Sequence, residues 1–420
     1  MESNCYTRKY CRLCDSGNLR LVAPIGLSPI GGAFVPEDKR NAKQELYPLD
    51  MYQCDGCGHV QLLNVVNPKL LFSDYAYFSG KTGLVKHFAE YAGNIMQRAK
   101  LKKGSFVVDV GSNDGAFLGF FKNAGMKVLG IDPAENVAKY ANDSGIETLP
   151  LMFDLKTADF IKDKYGAADI VTANNVFAHT DDLKGMARGV RQLLKEDGLF
   201  YFEVSYLVDV IEKMLLGTIF HEHLSYHTVK PLVSFLDSLG LELINVERVP
   251  IQGGSIICTA QVKGRGRTVS ASVNDLIIYE ENRGLYKPGY FSPFTQKLND
   301  TKKSLAELIG NIRSQGKTIA AYGAARGGTL MVYLFDLGRH IEYIVDDDPA
   351  KQGLYSPGYH IPVMPTAAMY AKAKLPDCII ILAWVHSKSI INNNRKYLEN
   401  GGKFITFFPK IEVADKDSAL

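Results

Sequence analysis

Two short cysteine pairs, Cys11-x2-Cys14 and Cys54-x2-Cys57, constrain this chain more than any other feature. A CxxC turn presents both sulfurs to one side, and two such turns supply four thiolates to one tetrahedral ion with no open position. The chain has seven cysteines, an odd number, and its polar start, MESNCYTRKYCRLC, has no apolar leader, so metal is favoured over disulfides. Redox dithiols fit less well, because neither pair sits in a thioredoxin-like βαβ pattern. One structural Zn2+ is therefore expected on Cys11, Cys14, Cys54 and Cys57, with Gly58 serving the turn and Cys5 and His59 as bystanders. Residues 1–75 carry little helical periodicity and many Gly and Pro, so this module depends on its metal for a core.

The pattern changes near residue 84, where Phe88, Tyr91, Ala92, Ile95, Met96 and Ala99 fall at helical spacing. The β-rich runs SFVVDVG, KVLGID, ADIVTAN and GLFYFEV then alternate with helical stretches, and LELINVERV and SIICTAQVKG follow as an antiparallel pair. The fold class is α/β. The pattern predicts a zinc-binding module over 1–75 and a central Rossmann-like domain over 76–265, whose parallel sheet is closed by that pair. Residues 264–296 read as a crossing between domains, and KTIAAYG, IEYIVDD, DCIIILAW and GKFITFF begin a second alternation. Linker helices and a C-terminal Rossmann-like domain are thus expected over 266–420. With 48 basic and 45 acidic residues the chain offers no broad cationic footprint for nucleic acid. No apolar run reaches the roughly 18 residues needed to span a bilayer, so a cytoplasmic enzyme is expected.

Chemistry concentrates at strand ends. In VVDVGSNDGAFL, Asp109, Gly111 and Gly115 lie where a first strand turns into a helix, and Asp132 ends the next strand, in register to accept ribose hydroxyls. An acid before the first glycine suits a sulfonium and an ammonium better than a pyrophosphate, which favours S-adenosylmethionine over NAD. Asn174 and His179 of ANNVFAHTDD follow the fourth strand, at the carboxyl edge where open α/β sheets bind ligands. FHEHLSYH packs His221, Glu222, His223, Tyr226 and His227 together, a spacing that excludes an HExxH zinc site. An extended backbone there would place His221 and His223 on one side and Glu222 on the other, and the cluster reads as an acid–base site. In AAYGAARGG, Arg326 at a helix start suggests an anion site for a nucleotide-sugar diphosphate.

The two CxxC pairs, VGSNDGAFL, GIDPAENVA, VTANNVFAHTDDL, FEVSYL, FHEHLSY and QGGSI together resemble the bacterial sugar C-methyltransferases, which act on nucleotide-linked 4-keto-6-deoxysugars. The resemblance covers nearly the whole chain. It implies a zinc module, a central S-adenosylmethionine domain and a C-terminal Rossmann-like domain, with a nucleotide-linked sugar as substrate. It implies that Gly111, Gly115 and Asp132 bind the cofactor, and that Tyr75 or Tyr77, His179, Glu222 and His223 belong to the active site. The family pattern begins Tyr-His-Glu-His, and here Phe220 takes the first place, which bears on the hydroxyl pattern of the sugar.

Methylation of a carbon beside a ketone needs a base, a donor to the enolate oxygen and close apposition of methyl and carbon. His223 is expected as the base, with Glu222 orienting a charged partner and His179, Tyr77 or Tyr226 donating to oxygen. Asp109, Gly111, Gly115, Asp132 and Asn174 are expected on the cofactor, and Tyr75, Phe220, Tyr226 and Arg326 on the substrate. The chain is expected to work as a monomer or weak homo-oligomer, without nucleic acid or membrane. The competing readings are an NAD-dependent nucleotide-sugar oxidoreductase, a zinc-ribbon RNA methyltransferase and a non-catalytic nucleotide-sugar binder.

Overall fold

Alternation of β-branched runs with amphipathic helices builds two separate sheets. The computed structural model describes residues 4–72, 78–81, 83–371, 375–408 and 410–417, so Tyr75 and Tyr77 lie outside the described residues. Contacts group the chain into one unit of Met1–Arg20, Gln53–Val208 and Leu224–Lys287 and a second of Leu21–Tyr52, Asp209–His223 and Pro288–Leu420. This grouping differs from the linear division at 75 and 265. The segment Leu21–Tyr52, expected with the cysteine module, makes its contacts in the second unit, where Val35 bridges to Tyr355. A loop-rich stretch of that length has too few apolar residues to enclose a core alone.

The first unit carries a seven-stranded sheet of β1 (Phe106–Val110), β2 (Lys127–Ile131), β3 (Thr148–Leu149), β4 (Ala168–Asn174), β5 (Leu194–Ser205), β6 (Leu241–Val249) and β7 (Ser255–Val262). Their order is β3-β2-β1-β4-β5-β7-β6, parallel except for β7, which pairs antiparallel with both neighbours. The expected terminal hairpin is therefore present. Helix α1 (Val85–Arg98) buries Phe88, Tyr91, Ala92 and Ile95 against Val107, Ile170, Leu199 and Ile257 of the sheet. Helices α2 (Ala116–Asn123), α3 (Val229–Ser238) and α4 (Ala271–Asn282) also belong here.

Helix α4 corrects the reading of 264–296 as a plain crossing. Its Glu280 is fully buried and accepts bonds from the Val229 and Lys230 amides at 2.7 and 3.2 Å. It also accepts from the Tyr206 and Tyr286 hydroxyls at 3.1 and 2.5 Å. The Thr228 side chain makes no capping bond to α3, and Glu280 supplies the missing acceptor from another helix, beside the positive end of the α3 dipole.

The second unit carries β8 (Ile319–Tyr322), β9 (Ile344–Val345), β10 (Val363–Met364), β11 (Cys378–Ile381), β12 (Lys403–Thr406) and β13 (Glu412–Ala414). The order β10-β9-β8-β11-β12-β13 is parallel up to the antiparallel last strand. Helix α5 (Arg326–Leu334) leaves the β8 turn. Among the described residues no helix is long and apolar enough to cross a membrane.

Candidate functional site

The four cysteines converge as their spacing requires. Their sulfurs all lie within 4.8 Å of one another, with Cys11 Sγ 3.6 Å from Cys57 Sγ and Cys14 Sγ 3.5 Å from Cys54 Sγ. Four sulfurs at ~2.3 Å from a tetrahedral zinc stand about 3.8 Å apart, so the set fits the ion with little adjustment. The Asp15 amide donates to the Cys11 carbonyl at 3.1 Å, and the Gly58 amide to the Cys54 carbonyl at 2.8 Å, closing both knuckles. Between the first pair, Arg12 is 1% exposed. It donates to Gln61 Oε1 at 3.0 Å and pairs with Asp181 at 3.0 Å, which ties the knuckle to the segment after β4.

At the end of β1, Asp109 is 3% exposed and accepts the Thr172 hydroxyl at 2.5 Å. Burial, with Asp132 adding to it, pushes its carboxyl up to about 7. Asp132 accepts the Asn113 amide on Oδ2 and the Ala134 amide on Oδ1, both at 2.9 Å. Burial raises its pKa despite those bonds. The acid expected to meet a ribose thus also pins its own turn, with further lone pairs on both oxygens. Gly111 and Gly115 have φ of +70° and +75°. A Cβ on them would come within 2.2 Å of Val176 and 2.9 Å of Ile146. Turn conformation and close packing therefore require these glycines, whatever lies against the loop. Sequence reasoning missed Asp114, which accepts the Ser79 hydroxyl and the Gly80 amide, both at 2.8 Å.

Asn174 ends β4 with both amide atoms buried and bonded to no described protein group. That is the state expected of a residue whose partner is a ligand. His179 stands beyond it with its ring stacked on Phe72, centroids 6.5 Å apart. Tyr226, expected on the substrate, is instead 1% exposed, in a strand pairing with Val60–Leu62. His227 is also core: its Nε2 donates to the Phe177 carbonyl at 3.2 Å, and burial lowers its pKa to about 4.

Residues 220–223 of FHEHLSYH lie in the second unit and form a turn, closed by the His223 amide on the Phe220 carbonyl at 2.9 Å. The extended backbone expected there is corrected by this bond. His221 points inward, its Nε2 donating to the Tyr47 carbonyl at 3.2 Å, and burial drops its pKa to about 4. His223 donates through Nδ1 to the Thr218 carbonyl at 2.7 Å. A carbonyl accepts only, so the neutral ring carries its lone pair on Nε2. Phe220 lies on that ring with centroids 3.9 Å apart.

Glu222 is ion-paired with Arg326, its side chain 4% exposed. Arg326 was expected to await a diphosphate, yet its guanidinium already meets a carboxylate. The glycines of GAARGG serve packing: a Cβ on Gly327 would stand 2.5 Å from the Gly217 backbone. The cavity at this turn is about 10 Å³, lined by Phe34, Thr329, Ser356 and Pro357 among others. That is room for about one water and not for a dinucleotide. Asp346 at the end of the second strand accepts the Ala324 amide at 2.6 Å.

The chain matches three family models: one described as a proposed zinc binding domain over residues 11–72, a methyltransferase domain over 85–246, and a C-methyltransferase C-terminal domain over 250–409. It is 33% identical over 412 residues to the C-methyltransferase NovU of Streptomyces niveus, covering 98% of each chain. It is also similar to a solved S-adenosylmethionine-dependent methyltransferase from Clostridium acetobutylicum, at 13% identity and a TM-score of 0.36, over 43% of this chain and 92% of that one. A second such structure is the magnesium protoporphyrin IX methyltransferase of Synechocystis with bound SAH, at 18% identity and a TM-score of 0.33, over 42% of this chain and 83% of that one.

Proposed function

Because this chain belongs to the C-methyltransferase family and is an S-adenosylmethionine-dependent C-methyltransferase with a four-cysteine zinc centre, we propose that its acceptor is a nucleotide-linked keto-deoxysugar, methylated at the carbon beside the ketone. The observation that carries the reading is His223, whose ring is held by the Thr218 carbonyl in the tautomer that can take a proton on Nε2. A carbon next to a ketone is a far weaker acid than imidazolium, so a base fixed in place is the first requirement. Glu222, held by its pairing with Arg326, positions a carboxylate next to that histidine in sequence and stabilises charge as the proton moves. His179, at the carboxyl edge beyond β4, and Tyr77 are the candidates for donating to the enolate oxygen.

Bound S-adenosylmethionine supplies an electrophilic methyl group on a sulfonium. Asp109, Gly111, Gly115, Asp132 and Asn174 form the β1–β2–β4 edge that would hold it, and the Asn174 amide, without a partner among the described residues, fits that task. Tyr75 and Phe220 are assigned to the sugar side. Functionally the chain divides into the metal module, 1–75, the cofactor domain, 76–265, and the C-terminal part, 266–420, working in the cytoplasm.

Mass spectrometry of nucleotide-linked 4-keto-6-deoxysugars incubated with enzyme and S-adenosylmethionine tests the substrate class. Methylated product should form from the keto sugars and not from their reduced counterparts. The base is tested without a methyl donor, by washing deuterium in at the reacting carbon. His223→Asn should slow that exchange and cut turnover by about 10²–10⁴-fold. Exchange at the wild-type rate would remove His223 from the role.

A further inference from the structure

We propose that Glu203 receives the α-ammonium of S-adenosylmethionine, with His87 anchoring the carboxylate and Asn174 beside it. The proposal rests on the cofactor reading above and assigns a residue which that reading does not use. Glu203 sits near the end of β5, directly opposite Asn174 of β4, and Thr172 of the same strand is opposite Asp109 of β1. Residues paired in register, or two apart on one strand, project to the same face. Asp109, Thr172, Asn174 and Glu203 therefore form a polar row across the carboxyl edge, on the sheet face where Val107, Ile170 and Leu199 pack with α1.

The row is under-bonded. Glu203 is 2% exposed. Its Oε2 accepts from His87 Nε2 at 2.6 Å, while Oε1 is buried with no donor among the described residues. Both amide atoms of Asn174 and the Tyr91 hydroxyl are in the same condition. Burial raises the Tyr91 phenol well above its ordinary value, and Glu203 and Asp109 push it further, so it stays a neutral donor near those carboxylates. A buried carboxylate oxygen left without a donor costs several kcal/mol, and stable proteins seldom keep one without use.

The missing partner must supply both N–H or O–H donors and positive charge. A sulfonium has the charge but no hydrogen to donate, and a sugar hydroxyl has the hydrogen but no charge. A primary ammonium has both, with three donors for Glu203 Oε1 and its neighbours. The amino-acid end of the cofactor carries such a group. His87 is placed as the anchor: its ring stacks on Tyr91 of the same helix, centroids 5.7 Å apart and 21° from parallel. That stacking restricts the imidazole and through it the carboxylate.

Calorimetry on the full chain separates this site from the rest of the cofactor reading. S-adenosylhomocysteine carries the ammonium without the sulfonium, and 5′-methylthioadenosine lacks the whole amino-acid end. Glu203→Gln should weaken S-adenosylhomocysteine by about 10- to 100-fold, the scale of a charge-assisted hydrogen bond, and leave 5′-methylthioadenosine unchanged. Should Glu203→Gln not fold by circular dichroism, Glu203→Asp keeps the charge but draws it back by one methylene, and should show the same selective loss. Equal affinity of wild type and variant for S-adenosylhomocysteine would overturn the assignment, as would an equal loss for both ligands. Wild-type protein binding neither ligand would overturn the cofactor reading itself and the ammonium site with it.

Discussion

Asp109→Asn should flatten the pH dependence of stability in the first unit. Asn keeps an oxygen for the Thr172 hydroxyl, which the carboxylate accepts at 2.5 Å, and removes only the titration. Burial pushes the Asp109 carboxyl up to about 7 in the folded chain, against an ordinary value of about 3.9 when unfolded. The folded form then binds more protons than the unfolded form between those values. Stability from this group is fully present below about pH 4, falls as pH rises and is lost once pH passes about 7. Between pH 5 and pH 8 the loss integrates to about 2.5 kcal/mol. The only tryptophan, Trp384, lies in the second unit, so its fluorescence is a control and not the probe. Hydrogen exchange of the β1 amides in wild type and variant, compared at each pH, cancels the intrinsic exchange rates. The wild-type stability relative to the variant should fall by about 2.5 kcal/mol from pH 5 to pH 8. A change below about 0.5 kcal/mol would show that Asp109 does not titrate near neutrality.

Purified chain should carry about one zinc, and Cys54→Ser should release it while the parallel sheet of the first unit still forms; well-folded wild type without metal would defeat the zinc assignment. Glu280→Ala strips the acceptor from two helix amides and two phenols and should destabilise the first unit by about 3–5 kcal/mol in a urea titration followed by circular dichroism. A loss under about 1 kcal/mol would mean water replaces the carboxylate. Phe220→Tyr should reorder the preference among nucleotide-linked sugars without changing affinity for S-adenosylhomocysteine, since this ring lies on His223, the expected base; an unchanged substrate ranking would make the replacement a packing swap.

What was legible in the sequence followed from short-range constraints. CxxC spacing predicted the thiolate set, because only one geometry lets two such turns share an ion. Alternating runs predicted most strands of both sheets, because burial on two faces leaves continuous apolar stretches; Thr148–Leu149, Val363–Met364 and Glu412–Ala414 are too short to show one. Helix α4 escaped because its sequence, ASVNDLIIYEEN, has no clean apolar stripe and its most deeply buried residue is Glu280. FHEHLSYH showed density but not direction. One turn sends His221 inward and keeps His223 on a carbonyl, while His227 enters the core of the other unit. Glu203 and His87 are 116 residues apart, and neither lies in a motif that would pair them.

The two Rossmann-like sheets show why a strand–glycine–helix fingerprint with a following acid reports packing first and ligand second. Asp132 holds the Asn113 and Ala134 amides in one unit, and Asp346 holds the Ala324 and Asp348 amides in the other. In both, the acid stabilises its own turn, so its presence alone predicts no ribose. The difference lies in what remains unsatisfied at the carboxyl edge. The second unit lays Gly217 on Gly327 and leaves about 10 Å³ beside its turn, room for about one water. The first unit keeps Asn174, Tyr91 and one oxygen of Glu203 buried and without a hydrogen-bond partner among the described residues, a cost that folding alone does not offset. Ligand capacity at such an edge is therefore read from its unpaired buried polar atoms, and by that measure the cofactor belongs to the first sheet.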